Sequence, residues 1–432
     1  MKKEQLDKSH PKDKSRDTIT FMVHKEVKKH LEAGKRHFDL GDVPSALNHY
    51  KAALEIDPEC ALVHFNLGFA FYESHDREAA KQCYQRAIEL EPDCSLFLEQ
   101  QAKLHFESEE YAQAISLFQR ASGVGPIQPV SYGLWGRAYY ELEDYAAAAE
   151  QLEKMLQREH NPTLISYARY YLVLAGLRGG NLFRARREVE PLLEMQSPDF
   201  ELLGDLGEQL LDAKCITLAR RCLEKFLESR DDLAMARSYQ EIVDIEQRVD
   251  RILPRLFSGD EERILQNIHL LFQFGSEKVA RALASIQDAR SALVREAVVE
   301  YHRRYGYPFR GDLGRLLDDS TDFVREKSAQ YVYQSGDARY GETMRGLLED
   351  RSPRVRRFAI VFHRDFGTMD SVPVLTQALA VEEDPENQRH LRLALTSVKL
   401  RCERRERAMI DTRLPAEPPV SYTHLTLPTK RI

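Results

Sequence analysis

A chain of 432 residues exceeds what one hydrophobic core serves, so several domains or an extended array are required. With 43% hydrophobic and 30% charged residues it suits a well-packed protein with a large solvated surface, and a net charge of -7 gives no general pull toward nucleic acid or anionic lipid. No run of apolar residues is long enough to span a membrane, and the six cysteines include no Cys-x-x-Cys pair, so reduced cytoplasmic thiols are expected rather than a disulfide framework or a zinc site.

Residues 1–22 are charged, lack the apolar stretch of a signal peptide, and are expected to be a disordered tail. From residue 23 a repeat sets in: Ala46, Ala80, Ala114 and Ala148 fall 34 residues apart. Gly34, Gly68, Ala102 and Gly136 stand twelve residues before them, and Tyr50, Tyr84, Phe118 and Leu152 four after. Pro58, Pro92 and Pro126 close the first three units, with His160 in that place in the fourth. Apolar spacings of three and four flank polar turns at Gly41-Asp42, His75-Asp76, Glu109-Glu110 and Glu143-Asp144, which predicts two helices, A and B, per unit. A glycine inside a helix costs about 1 kcal/mol against alanine, so the small positions imply close approach of the partner helix. One helix pair cannot bury its own apolar face, and the units must stack into a solenoid. Two degenerate units follow the four regular ones. Ala185 lies 37 past Ala148, implying a three-residue insertion near 161–163, and Gly207 and Ala219 restore the register, so the array is placed at 23–228.

These residues resemble the tetratricopeptide repeat family. Its pattern of aromatic, Leu-Gly, Tyr, Ala, aromatic, Ala and Pro is met by His64, Leu67-Gly68, Phe71, Ala80, Tyr84, Ala87 and Pro92, with only His64 departing. The resemblance implies a superhelix whose concave groove is lined by helix A of each unit and binds a protein or peptide. By that geometry one row holds Lys35, Phe69, Lys103 and Arg137, and a second holds Phe38, Tyr72, Phe106 and Tyr140, with Phe65 beside them. The candidate binding residues are Lys35, Phe65, Phe69, Tyr72, Lys103, Phe106, Arg137 and Tyr140. They imply a ligand with an apolar anchor and at least one acidic residue. The competing reading makes the aromatics inter-unit packing and turns Lys35–Asp39, Lys103–Glu107 and Arg137–Glu141 into surface pairs worth about 0.2–0.5 kcal/mol each. The family's chaperone-tail clamp is not expected, because its positions hold Leu31, Lys35, Asn66, Leu96 and Gln100, of which only Asn66 fits.

Residues 229–259 are expected to form a helical connector broken at Pro254. Over 260–400 the period shortens to 30 or 31, marked by Val294-Arg295, Val324-Arg325 and Val355-Arg356. Gly306, Gly336 and Gly367 follow each valine by twelve residues, and Gly275 extends the series back by one unit. Each glycine stands where a left-handed cap would end the first helix of a pair. Asp319 and Asp350 precede Arg325 and Arg356 by six, which resembles the HEAT repeat family, in which acidic and arginine side chains line the stack as a ladder. The first unit departs from it, with Ala289 in the aspartate's place. The predicted fold is therefore all-α, an α-solenoid of tetratricopeptide units followed by HEAT-like units.

Arg303, Arg304, Arg351, Arg354 and Arg357 invite a nucleic-acid reading, but carboxylates are nearly as numerous in this half and no net basic face is expected. No enzyme and no cofactor are expected. None of the 14 histidines precedes a glutamate, as a HEAT-type di-iron hydroxylase would require, and neither a phosphate loop nor a metal-spaced His/Cys cluster is present. His37 and His105 fall at aromatic positions and are expected to pack. Residues 401–419 are a polar, proline-rich tail, and 420–432 begin with VSYTHLTLPT, which matches one reading frame of a transposase adapter used in sequencing libraries. The natural chain is then expected to continue past Pro419. Two functions fit: a non-catalytic scaffold or adaptor, or a regulatory or targeting arm of a larger enzyme or membrane protein.

Overall fold

The computed structural model describes residues 25–195 and 199–411, with side chains as far as Glu403 in the last helix. The tail expected at 1–22, residues 412–419 of the one expected at 401–419 and the adapter-like segment lie outside the described residues, while 401–411 continue the last helix instead of forming a tail. Among the described residues there is no strand, and helices succeed one another in antiparallel pairs. The chain forms two compact units, the first ending at His160 and the second beginning at Asn161.

The first unit holds four A/B hairpins: α1 (Lys25–Asp39) with α2 (Val43–Ile56), α3 (Ala61–Glu73) with α4 (Arg77–Leu90), α5 (Ser95–Glu107) with α6 (Tyr111–Val124), and α7 (Pro129–Glu141) with α8 (Tyr145–Leu156). Every hairpin reverses at the predicted turn. Gly41, His75, Glu109 and Glu143 all take left-handed backbone, with φ of 77°, 63°, 63° and 61°. The next residue then caps helix B: Asp42, Asp76 and Asp144 accept the N–H groups of Ser45, Ala79 and Ala147. The small positions are seats. A Cβ on Gly68 would lie 2.8 Å from the Tyr84 ring, so the aromatic of helix B rests directly on the backbone of helix A. That contact offsets the cost of a helical glycine. Ala46, Ala80, Ala114 and Ala148 are wholly buried beside it.

The second unit begins with two further hairpins, α9 (Pro162–Arg178) with α10 (Leu182–Glu194) and α11 (Phe200–Asp212) with α12 (Ile216–Leu227). Helix α9 has 17 residues where α7 has 13, so the insertion is taken up as added helix. Then come α13 (Leu233–Ile252), a 3-10 turn at Leu253–Phe257 with Pro254 at its start, α14 (Glu261–Leu271) and α15 (Glu277–Ala284). The remaining elements are α16 (Ala292–Tyr305), α17 (Leu313–Leu317), α18 (Asp322–Ser335), α19 (Gly341–Gly346), α20 (Pro353–Phe366), α21 (Ser371–Val381) and α22 (Pro385–Asp411). The pairs here are unequal: α16, α18 and α20 have 14 residues each, whereas α17 has 5 and α19 has 6. Gly306 and Gly336 end their helices in left-handed backbone, φ 63° and 65°. Gly275 and Gly367 do not, which corrects the caps expected there: Gly275 lacks positive φ and stands beyond the end of α14 at Leu271, and Gly367 has φ -64° and ψ 152°. Glycine is needed at that point for close approach instead, since a Cβ would lie 2.3 Å from the His363 carbonyl oxygen.

The arginine and acidic side chains form a ladder that runs from unit to unit. Each arginine forks onto the carboxylate of the following unit: Arg295 on Asp319 at 2.6 and 2.9 Å, Arg325 on Asp350 at 2.8 and 3.0 Å, Arg356 on Glu382 at 2.8 and 2.5 Å. The six-residue spacing serves the backbone, because Nη1 of each donates to the carbonyl of Ala289, Asp319 or Asp350 at 2.7–2.8 Å. A carbonyl is common to all residue types, so Ala289 is no departure in that role. Gln388 donates to the Glu382 carbonyl at 2.7 Å in the same way and, carrying no charge, ends the ladder. Burial pushes the Asp350 carboxyl up, but hydrogen bonds from Arg325 and the Ser352 N–H outweigh it and hold the group below its ordinary value.

The fifth and sixth hairpins share a core with these later helices. Phe183 on α10 sits edge-on to Tyr331 on α18 at 5.0 Å, and the Gly275 N–H donates to the Lys214 carbonyl at 2.7 Å. No described helix is long and apolar enough to cross a membrane.

Candidate functional site

Positions three apart lie one turn apart on the same helix face, so the 34-residue period places two parallel rows along the A helices of the first unit. The structure interlocks them. From the second hairpin on, each residue of the first row rests on the second-row residue of the preceding hairpin: Phe69 on Phe38 with ring centroids 5.2 Å apart, Lys103 Nζ 5.0 Å over Tyr72, and the Arg137 guanidinium 5.5 Å over Phe106. The result is a staircase of one aromatic pair followed by two cation–π steps.

The middle step is the most enclosed. Lys103 is only 7% exposed, and burial pulls its ammonium below the ordinary value while Glu107 and Glu73 hold it part of the way back. The Tyr72 hydroxyl donates to Glu107 Oε1 at 2.5 Å, and burial together with that bond pushes the phenol well above its ordinary value. Glu107 also lies 3.7 Å from Arg77. Among the described residues no ion pair joins Lys103 to Glu107, whereas Arg137 and Glu141 do pair, at 3.3 Å.

The eight candidate residues therefore fall into two layers. Lys35 is exposed, and Phe69, Tyr72, Arg137 and Tyr140 are half-buried, with Tyr140 edge-on to Tyr145 at 5.6 Å. Phe65, Lys103 and Phe106 are buried beneath. The Phe65 ring stacks on Phe97 at 4.8 Å and belongs to the packing between the second and third hairpins. Asn66 turns its amide onto the Leu62 carbonyl of its own helix at 2.7 Å. The competing expectation of inter-unit packing among the aromatics covers the step from Phe38 to Phe69, but neither expectation set a cation over the ring of the preceding hairpin. The signal was present as the constant offset of 31 residues that separates 38 from 69, 72 from 103 and 106 from 137.

His37 and His105 do more than pack. His37 Nδ1 lies 3.1 Å from Asp42 Oδ2, and His105 bonds Glu110, which also takes Lys81 at 2.8 Å, so both rings tie the end of helix A to the start of helix B. The arginines of the second unit are engaged as well: Arg303 with Glu300, Arg351 with the Ser320 carbonyl at 2.6 Å, Arg354 with Glu326 at 3.9 Å and Arg357 with Glu386 at 2.6 Å, while Arg304 lies over Tyr305. Among the described residues no group of three or more His, Cys, Asp or Glu side chains is placed to hold a metal ion.

Comparison with known families matches a TPR repeat to residues 34–74 and tetratricopeptide repeats to 61–94 and 134–190. A search of curated proteins gave no match. Among solved structures the chain is similar to a tetratricopeptide repeat protein from Parabacteroides merdae, at 18% identity over 64% of this chain and 99% of that one, with a TM-score of 0.41. It is also similar to YrrB, described as a TPR protein with an unusual peptide-binding site, at 18% identity, 44% and 97% coverage and a TM-score of 0.40. A third is a fragment of MamA from Desulfovibrio magneticus, at 17% identity, 39% and 92% coverage and a TM-score of 0.35.

Proposed function

From a chain whose residues 34–94 and 134–190 are tetratricopeptide repeats, we propose a non-catalytic scaffold or adaptor, working in the cytoplasm, that holds a partner peptide on the helix-A face of its first unit. The observation that carries this reading is the staircase. Its aromatic and cationic side chains are fixed against one another before any ligand arrives, so little side-chain entropy is left to lose on binding. Phe69 and Tyr72 offer an apolar seat that is half open to solvent. Lys35 and Arg137 flank it with positive charge, which suits an acidic residue beside an apolar anchor, although Glu141 beside Arg137 weakens that preference. Lys103 serves the face from below, since its charge is already turned toward Tyr72 and the two glutamates.

Calorimetry with a panel of short peptides, pairing one large apolar residue with acidic or basic neighbours, tests this on the full chain. Phe69→Ala should weaken the best acidic peptide by about 2 kcal/mol, the size of an interface hot spot. Lys35→Ala should act mainly on association rate and salt dependence. Acidic peptides binding no better than basic ones, or folded Phe69→Ala protein binding as the parent does, would defeat the proposal.

A further inference from the structure

A cavity of about 220 Å³ lies within the second unit, between α10, α15 and α16 and the segment that follows α16. Gly306 creates it. With φ of 63° and its Cα so close that a Cβ would lie 2.4 Å from the Leu182 carbonyl carbon, it turns Tyr307–Arg310 back over α10. Arg186 on α10 then lays its guanidinium 4.0 Å from the centre of the buried Tyr307 ring. Among the described residues no carboxylate pairs with Arg186, and its Nε is buried without a hydrogen-bond partner. A half-buried charge left without an ion pair of its own is costly.

The rest of the lining offers Arg186 only a shared carboxylate, Glu277, whose charge it feels together with Arg281 and Arg310. Arg281 and Arg310 both donate to a single oxygen, Glu277 Oε1, at 2.6 and 3.3 Å. The second lining carboxylate, Glu190, is held at 2.6 Å by Arg221, which is not part of the lining. Arg187 is likewise held from outside the lining, by Glu188 at 2.8 Å, so Arg186, Arg281 and Arg310 are left facing Glu277 alone, a surplus of two positive charges. The buried His302 adds no charge at neutral pH, because burial lowers it to about 4.

We propose that this cavity binds a phosphoryl dianion, free or as the ester of a small molecule or side chain, between Arg186, Arg281 and Arg310. Planar guanidinium forks match phosphoryl oxygens, and stacking on Tyr307 holds one fork in place in advance. The charge of the group equals the surplus in the lining.

Calorimetry on the full chain at constant ionic strength tests the site, with inorganic phosphate, phosphoserine and acetate as probes. Saturable binding of phosphate or phosphoserine, with acetate at least tenfold weaker, is expected. Tighter binding of phosphate assigns the site to the free ion, and tighter binding of phosphoserine to an ester. Arg310→Gln, at a side chain 59% exposed and so harmless to folding, should weaken binding at least tenfold, and Arg186→Gln likewise. Glu277→Gln should strengthen it, a response that a merely structural lesion would not give. Absence of saturable binding, equal binding of acetate, or Arg310→Gln and Glu277→Gln protein binding as the parent does would overturn the proposal.

Discussion

The hairpin turns show how a single residue position can be set by backbone geometry and then filled against preference. Gly41 and Gly180 occupy the left-handed slot at no cost, but His75, Glu143 and Lys214 occupy the same slot with φ of 63°, 61° and 59°. A side chain there costs about 1 kcal/mol or more. His75→Gly and Glu143→Gly should each raise stability by about 0.5–1 kcal/mol after the entropy of a free glycine is deducted. Urea denaturation measures this, and a lowered midpoint would mean that contacts of these side chains outweigh the strain. The opposite change belongs to the seat: Gly68→Val drives a Cβ to within 2.8 Å of Tyr84 and should cost about 1–3 kcal/mol. Both slots were legible from the 34-residue period, because a repeated small or polar residue at fixed register has few other causes. The ties from His37 and His105 to the carboxylates five residues on were not, since a histidine at an aromatic position gives no sign of which ring edge finds a partner.

At the scale of elements the ladder fixes the order of the second unit's helices. Arg325 and Asp350 are both almost fully buried, so Arg325→Ala strands an unpaired carboxylate and should cost about 3–5 kcal/mol. The pair of changes Arg325→Met and Asp350→Leu should cost far less, because no charge is then left without a partner. The pH dependence follows from the same bonds. Glu382, through Arg356 first, and Asp350, against its own burial, are held below their ordinary values. A depressed carboxyl contributes stability that is fully present above its unfolded value, near 4, and is lost as pH falls through the folded value. The second unit should therefore weaken steeply below about pH 4, and Asp350→Asn should flatten that slope. Thermal melts between pH 2.5 and 7 would show it, and an equal slope in the variant would remove the ladder from the cause.

For the whole molecule, stacked repeats couple mainly to their neighbours, and the described residues form two compact units divided at His160. Unfolding should then proceed in two steps that can be told apart, because the chain has one tryptophan and Trp135 lies in the first unit. Tryptophan fluorescence should follow the first unit, while circular dichroism follows both. Gly68→Val should move only the fluorescence transition and Arg325→Ala only the other. A single transition shared by both probes and shifted by either variant would show the units to unfold as one.

The sequence alone determined the helical hairpins, their turns, the seats of Gly68 and its equivalents and the two rows of the helix-A face, because each depends on spacing along the chain. It also marked the ladder's arginines and two of its carboxylates, Asp319 and Asp350, though neither Glu382 nor which carboxylate each arginine takes. Tertiary structure decided that choice, since a side chain as long as arginine reaches past its own unit to the next. It decided too that Lys103 and Phe106 lie under the face rather than on it, because a cation standing over an aromatic one hairpin away covers the ring and is itself covered. The cavity around Arg186 was beyond any spacing rule: its arginines come from α10, α15 and the segment after α16, and only the close passage of Gly306 across Leu182 brings them together.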